Sequence, residues 1–582
     1  MSRNPMSENP MSKNPMSRQN EWIERMIQRA EADEPVYITD VREAFDRYGK
    51  RAFHIHAFLY EGGRERFPLS LPEWENDRQR SFTAEYVRAF LYNLLSTLGA
   101  LKIEIYLDTE DGELVSLAEG LEDDFQVNCR KEERTGYGKS LNVNERTIKA
   151  LKGDRDRFSI VIRDIAEEEI PARTAECESG SDVFAGLPAA AAESFLLGID
   201  VGGTDIKFAV SRAGRLVHFE ELDWAPASFQ EVSLLTQPVM DAAERLMKEF
   251  GDGRKWNAIG LSWPDVIIRN MIVGGETTKT KGLRENTQRD YEEQFSELTG
   301  LCGRLKEYVR DGGAVMCTND GVMAAFTDAV EMAAAGEDVS KGFFAYSLGT
   351  ELGTGWIRAD GSVPQIPLEV YNCIIDLGSC RARTYQPEDV RSCRNVNTLL
   401  PGSLQKYTGQ SGVFRLAAKQ LPEKEPALYR EALERGLFEV KGAGELIIVP
   451  TEPEDMRKDC LEFFMEKAAL GESEVCRDIF RTIGEYIAVT WAENEYLLHP
   501  QAKERTLFGR LVKRSECFEL IKEGAEKKEP SLVLRNADAD LAVTPLMKQL
   551  AEDPVYTVAQ FAQAVGALYF GCLGLCSSQD TR

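Results

Sequence analysis

Residues 196–210 read LLGIDVGGTDIKFAV, an apolar run that stops at Asp200, passes Gly202, Gly203 and Thr204, and turns apolar again. Glycines let backbone N–H groups approach an anion closely, and the Thr204 hydroxyl adds a further donor. Asp200, at the end of the first strand, is placed to hold Mg²⁺ through water, because a hard cation prefers oxygen ligands. A glycine pair is equally common in a plain β-hairpin, so this segment alone serves either purpose. A second strand–turn–strand unit follows at 343–361, FFAYSLGTELGTGWIRADG, with Gly349, Thr350, Gly353, Thr354 and Gly355 in and after its turn. Opposed across a cleft, two such turns would grip the β- and γ-phosphates of a nucleotide from both sides.

Between them lies AVMCTNDGVMAAFTDAVEMA, residues 314–333. A strand ends at Asn319-Asp320-Gly321 and an alanine-rich amphipathic helix begins. Asp320 has two uses there. It could cap the helix. It could also face the cleft and accept a proton from a substrate hydroxyl during phosphoryl transfer, where positioning and electrostatics carry most of the catalysis.

The elements that must position these residues are carried on a chain of 582 residues, 43% apolar, long enough for about three folded units. A net charge of −26 disfavours general affinity for nucleic acid or an anionic membrane. Twelve cysteines without a C-x-x-C pair, and an N-terminus without an apolar core segment, lead to the expectation of reduced thiols in a cytoplasmic protein. No apolar run approaches the ~18 residues needed to span a bilayer.

Residues 1–20 repeat as MSRNP, MSENP, MSKNP, MSRQN, a polar pattern expected to be a disordered tail. Residues 21–170 are expected to form a compact α+β domain. Its helices are EWIERMIQRAE and AEYVRAFLYNLLSTL, and its strands AFHIHAFLY, KIEIYLD, ELVSLAE, DFQVNCR and FSIVIRD. His54 and His56 alternate on one strand face. Residues 171–194, rich in Ala, Gly, Ser, Pro and acids, are expected to be a linker, and a second unit begins at Phe195.

The order DxGGT, NDG-AA, GTxxGTG resembles the sugar-kinase branch of the actin, hexokinase and Hsp70 superfamily, and more narrowly the ROK family. Supporting segments are AIGLSWPDVI, where the family has G-x-P-G-x-V, then GLRENTQRDYEEQFSELTGL, ENEYLLHPQAKERTLFGRL and AVGALYFGCLGL. The resemblance covers roughly Phe195 to Ser577. It implies an α/β, two-lobed actin-like/hexokinase (ribonuclease H-like) ATPase fold, preceded here by the smaller α+β domain. Lobe 1 would span 195–320 and lobe 2 321–582, with the helix near 557–577 returning to lobe 1.

What the resemblance implies for individual residues follows the motifs. Gly202, Gly203, Thr204 and Lys207, with Gly349, Thr350, Gly353, Thr354 and Gly355, would bind ATP phosphates, and Asp200 would hold Mg²⁺ through water. Asp320 would be the general base, with Asn319 and Glu369 binding a sugar or polyol. Homodimers are frequent in the family.

The sequence also departs from the family. Asn372 replaces a histidine that would bind both sugar and zinc, and would instead contact substrate. Cys380 and Cys393 stand thirteen residues apart with no histidine nearby, so no structural zinc is expected. In the adenosine turn, FGRLVKR, only Gly509 matches; Arg510 would crowd the purine or stack on it. Trp263 stands in a usually small loop and would reshape the substrate side. Two activities remain open: an ATP-dependent kinase acting on a sugar hydroxyl, and a non-catalytic sugar or metabolite sensor acting through a protein partner. DNA-binding repression is disfavoured by the acidic, strand-containing N-terminal domain.

Overall fold

The computed structural model describes residues 15–32, 34–153, 156–171, 182–274, 277–380, 394–442, 446–450, 456–538 and 541–577. The first helix, Pro15–Glu31, starts inside the repeat expected to be a tail. It is held by Ile23, Met26, Ile27 and Ala30, buried at helical spacing. Residues 1–14 lie outside the described residues.

The N-terminal sheet contains β1 (Arg51–Phe58), β2 (Arg64–Leu71), β3 (Lys102–Leu107) and β4 (Ile160–Asp164), in the order β2-β1-β3-β4. Two expected strands are absent. ELVSLAE lies in the helix Gly112–Asp124, because Asp111 caps it at Glu113 and Leu114, and Leu114, Leu117, Ala118 and Leu121 bury one face. DFQVNCR runs from the end of that helix through a reversal at Gln126, where φ is 51°. Strand β2 was hidden by Pro68, which an edge strand tolerates on its solvent side. His54 and His56 both hydrogen-bond Glu168, at 2.8 Å each. Bonds from Arg66 and the two imidazoles outweigh the upward push of burial and hold that carboxyl down at about 2.

Lobe 1 is built on β5 (Phe195–Val201), β6 (Asp205–Arg212), β7 (Arg215–Asp223) and β8 (Trp256–Trp263). A two-residue ribbon follows, β9 (Ile267–Ile268) with β10 (Met271–Ile272), and then β11 (Val309–Asn319). The sheet order is β11-β8-β5-β6-β7, with β5, β8 and β11 parallel and β6 antiparallel to both its neighbours.

Lobe 2 uses β12 (Phe343–Leu348) and β13 (Leu352–Ile357), then a short ribbon of β14 (Glu439–Lys441) and β15 (Leu446–Ile448). It ends with β16 (Glu504–Phe508) and β17 (Val533–Asn536). Its order, β13-β12-β16-β17, repeats the lobe 1 pattern of a hairpin beside two parallel strands, without the outermost strand. The chain is therefore a two-lobed α/β structure preceded by an α+β region.

The helix Val558–Ser577 packs across β5 and β8. Gly198 and Gly260 make that approach possible: a Cβ on either would collide with the backbone carbonyl of Ala564 or Ala567. Contrary to the expectation from the sequence, this helix is long and apolar enough to cross a membrane; here it is a core element between the lobes.

The segment 171–194 is not wholly a linker. Asp182–Ala192 is a helix that buries Phe184, Leu187 and Ala191 against the helices Asp320–Ala334 and Val558–Ser577. The N-terminal domain likewise shares the core of lobe 2. Backbone bonds join Ile38 N to Ile375 O, Leu377 N to Val36 O, Leu368 N to Thr97 O and Glu369 N to Ser96 O, at 2.9–3.0 Å. The buried Asn93 side chain accepts from Ile374 N and donates to Ile374 O and Glu493. On its other side, Arg146 grips Glu292 of lobe 1 through Nε and Nη2 at 2.7–3.0 Å. The N-terminal domain thus bridges both lobes.

Candidate active site

Strands β5, β8 and β11 run in the same direction, so their carboxyl ends form one edge, where ligands bind in open α/β sheets. Asp200 stands there opposite Ser262, and Asn319 opposite Trp263. Burial pushes the Asp200 carboxyl up to about 6, against a hydrogen bond from Ser262 and with help from the Asp320 charge. Asp320 opens the helix Asp320–Ala334 at that edge. Burial raises its carboxyl above the usual range, opposed first by the Lys279 ammonium.

The helix cap is Asn319 rather than Asp320. Asn319 Oδ1 accepts from Gly321 N at 2.9 Å, and its Nδ2 donates to Asp265 O at 3.1 Å. One oxygen of Asp320, Oδ1, also accepts from Gly321 N. That backbone bond and the helix N-terminus both favour the carboxylate form, against its burial.

A cavity of about 390 Å³ opens between the lobes. Gly203 from the first turn, Gly353 and Thr354 from the second, and Asn319, Asp320 and Glu369 all line it. These six sequence-derived residues are brought together. Apart from Gly203 and its two chain neighbours, no atom of the described residues lies within 4 Å of where a Cβ on Gly203 would stand, so the first turn is open on that side.

Other expected residues have different employment. Trp263 is 1% exposed and lines neither this cavity nor the smaller one beyond it; its indole N–H donates to Asp265 Oδ2 at 3.0 Å. The Lys207 ammonium pairs with Asp205 and, at 3.7 Å, with Glu221. Thr204 donates to Asp205 Oδ2 at 3.1 Å, and Gly202 N to Asp205 O at 2.8 Å closes the hairpin. Gly349 O accepts from Gln410 N, and Thr350 O packs against Gly409. Gly355 is a packing glycine, since a Cβ would strike Gly321 and Ala325 of the following helix.

Gly509, at φ 101°, ends β16 against the Leu348 backbone, and Arg510 begins a short 3₁₀ turn beyond it. Neither lines the cavity. Asn372 is buried and donates to Glu369 Oε2 at 3.0 Å while accepting from Asn395 at 2.9 Å. It therefore orients Glu369. Cys393 and the segment 381–393 lie outside the described residues, as does the Cys380 side chain. Among the described residues, no group of three or more His, Cys, Asp or Glu could hold a metal ion.

Sequence reasoning missed Asp265, Lys279, Glu351, Gln405 and Tyr371, all on the cavity wall. Asp265 is 3% exposed; burial pushes it up to about 6, opposed first by Lys279 and then by the Trp263 bond. Its signal was present in AIGLSWPDVI, a carboxylate immediately after a strand that ends at the same edge as Asp200. Glu351 accepts from Gln405 at 2.7 Å. Tyr371 donates to Glu369 Oε1 at 3.4 Å.

No family model matches the chain, and no curated protein matches it. Solved structures similar to it include a ROK family glucokinase from Streptomyces griseus in complex with glucose and AMPPNP. That chain is 15% identical, with a TM-score of 0.37 over 64% of this chain and 98% of the other. Another is the ROK hexokinase from Thermus thermophilus, 16% identical, with a TM-score of 0.38 over 65% and 98%. A third is Leishmania braziliensis glucokinase, 13% identical, with a TM-score of 0.38 over 68% and 97%. The fold assignment rests on the strand order and directions described above.

Proposed function

We propose that the cleft transfers a phosphoryl group from ATP to a hydroxyl of a sugar or sugar-like polyol. The observation that carries this is the single cavity on which Asp320, Glu369, Gly203, Gly353 and Thr354 converge from both lobes. Asp320 Oδ2 takes the proton of the attacking hydroxyl, while Gly321 N holds Oδ1 and fixes the carboxyl plane. Glu369, braced by Asn372 and Tyr371 on separate oxygens, accepts hydrogen bonds from neighbouring hydroxyls and orients the ring. Asn319 acts through its position, tying the helix start to the Asp265 backbone.

The donor set suits Mg²⁺·ATP: Asp200 is the carboxylate to hold the metal through water, and Gly203 leaves open space where phosphate oxygens would meet backbone N–H groups. When bound, the metal nucleotide supplies the phosphoryl group and offsets the charge that develops on it. Asp265 and Asp320 line the cavity, and the Asp320 charge helps to raise both Asp200 and Asp265, so a cation beside Asp320 would relieve that repulsion.

Glu351 favours a second reading, a ligand sensor without turnover. It places a further carboxylate on the cavity wall beside the second glycine turn, where a triphosphate would meet like charge. The two readings part in one assay: ADP release with Mg²⁺·ATP across hexoses, amino sugars, N-acyl sugars and polyols, beside sugar-induced thermal shifts. Sugar-dependent ADP supports the kinase; thermal shifts without ADP support the sensor.

A further inference from the structure

Beyond Glu369 the cleft continues into a chamber of about 50 Å³ whose far wall belongs to the N-terminal domain. Tyr92, Ser96, Val143 and Asn144 form that wall, while Asp265, Thr277, Glu369 and Tyr371 line both spaces. Three of the lining residues carry a buried polar atom without a hydrogen-bond partner among the described residues: Asn144 Nδ2, Asp265 Oδ1 and Thr277 Oγ1. One such atom would be an ordinary imperfection. Three on one chamber, from three separate segments, are the mark of a place where a ligand group completes the bonding.

The orientation of the Asn144 amide is fixed by its other end. Asn144 Oδ1 accepts from the Tyr60 hydroxyl and from Ala100 N at 3.1 Å. Flipping the amide would turn its NH₂ against the Ala100 N–H, so Nδ2 is the atom left over. It is a donor and requires an acceptor. Asp265 Oδ1 as a carboxylate requires a donor, and Thr277 Oγ1 serves as either. Lys139 also lines the chamber, but its ammonium is engaged by Asn397 O at 2.9 Å, so an anionic group would still meet Asp265 and Glu369, and an ammonium offers Asn144 no acceptor. A space of this size holds roughly three to five non-hydrogen atoms, taking about 10–15 Å³ for each water-sized sphere.

We propose that Asn144, supplied by the N-terminal domain, is a specificity-determining residue of the substrate site, where with Asp265 and Thr277 it receives a short, uncharged, hydroxyl- or carbonyl-bearing branch of the sugar or polyol. The proposal rests on the sugar-site reading and gives the N-terminal domain its role in it. Its bridging of both lobes, through Arg146–Glu292 and the backbone pairing at Ser96 and Thr97, keeps that wall in register with Glu369.

The test uses the full-length protein and two matched probe pairs, D-glucose with D-xylose and N-acetyl-D-glucosamine with D-glucose, each differing by one short branch. Affinities are read by calorimetry without nucleotide, and kcat/KM by ADP release. The wild type is expected to favour the branched member of at least one pair by tenfold or more. Asn144→Asp keeps Oδ1 for Tyr60 and Ala100 but removes the amide donor, and is expected to cost the branched member about tenfold more than its unbranched partner. Val143→Met fills the chamber from the same wall and is expected to erase the same preference, which covers the case of Asn144→Asp failing to fold. A preference unchanged in both variants, or absent in the wild type, overturns the proposal. A preference that moves without any ADP release upholds it and instead overturns the kinase reading.

Discussion

The Trp263 indole N–H donates to Asp265 Oδ2 at 3.0 Å, so a tryptophan placed near the cleft by sequence acts there only through a carboxylate two residues away. Asp265 Oδ1 has no partner, which makes this the carboxyl group's one side-chain hydrogen bond among the described residues. Trp263→Phe is expected to lower unfolding stability by about 2–4 kcal/mol, combining lost packing with a buried acceptor left unpaired. A urea titration checks this; a loss below about 0.5 kcal/mol would show the bond to be incidental.

Asp265 also makes stability depend on pH. Its folded value of about 6 lies above the ordinary 3.8, so the folded state binds its proton more tightly than the unfolded state. The associated stability is full below about pH 4 and is lost as pH rises to about 6, up to about 3 kcal/mol. Asp265→Asn removes this term while keeping an acceptor for Trp263, and is expected to be about 1–3 kcal/mol more stable than wild type at pH 8. Thermal unfolding at pH 4 and pH 8 measures it, and a less stable variant at pH 8 would contradict it.

Arg146 and Glu292 clamp the N-terminal domain to lobe 1, with side chains 6% and 24% exposed. The guanidinium also lies 4.8 Å from the Phe295 ring centroid. Although burial opposes it, the Arg146 charge holds Glu292 below the usual carboxylate range, so this contribution is present above the unfolded value and lost as pH falls through the folded one. Arg146→Met is expected to cost about 2–4 kcal/mol at pH 7 and less under acid conditions. Denaturation at pH 7 and pH 3.5 compares the two; an equal cost at both would assign the effect to packing.

Removing residues before about 190 is expected to yield aggregated protein. The cut would strip Val36, Ile38, Ser96 and Thr97 from their backbone pairing with Leu377, Ile375, Glu369 and Leu368, and would uncover Ile374 and Ile375, which are 0% exposed. It would also leave Glu493, fully buried, without Arg42 and Asn93. The fraction recovered soluble after expression measures this, and a soluble, cooperatively unfolding fragment would contradict it.

The motifs legible in sequence were those whose chemistry is local. Asp200, the glycine turns and Asp320 sit at strand ends, and apolar runs followed by Gly or Asn-Asp-Gly announce such ends directly. What stayed hidden depended on distant partners. The place of Asn372 became clear only with Asn395 and Glu369 beside it, and nothing in the alternation of residues 140–152 reveals that Asn144 walls a cleft formed mainly by residues beyond 264. ELVSLAE failed as a strand because Asp111, just before it, supplies a cap that outweighs its alternating pattern. The 171–194 segment misled because alanine and glycine are common both in linkers and in helices that pack closely.

The most direct test of the account is Asp320→Asn, measured for sugar-dependent ADP release and for sugar and nucleotide affinity in the same preparation. The account predicts turnover reduced at least about 100-fold, in the range for a lost general base, with affinities within a few-fold of wild type. In the wild type, kcat/KM for Mg²⁺·ATP, which reports the enzyme free of metal nucleotide, should fall as pH drops, along a limb above the ordinary carboxylate range, because Asp320 must be deprotonated to act and burial has raised it. Turnover retained in Asp320→Asn would contradict the central claim and leave Asp320 as part of the helix start.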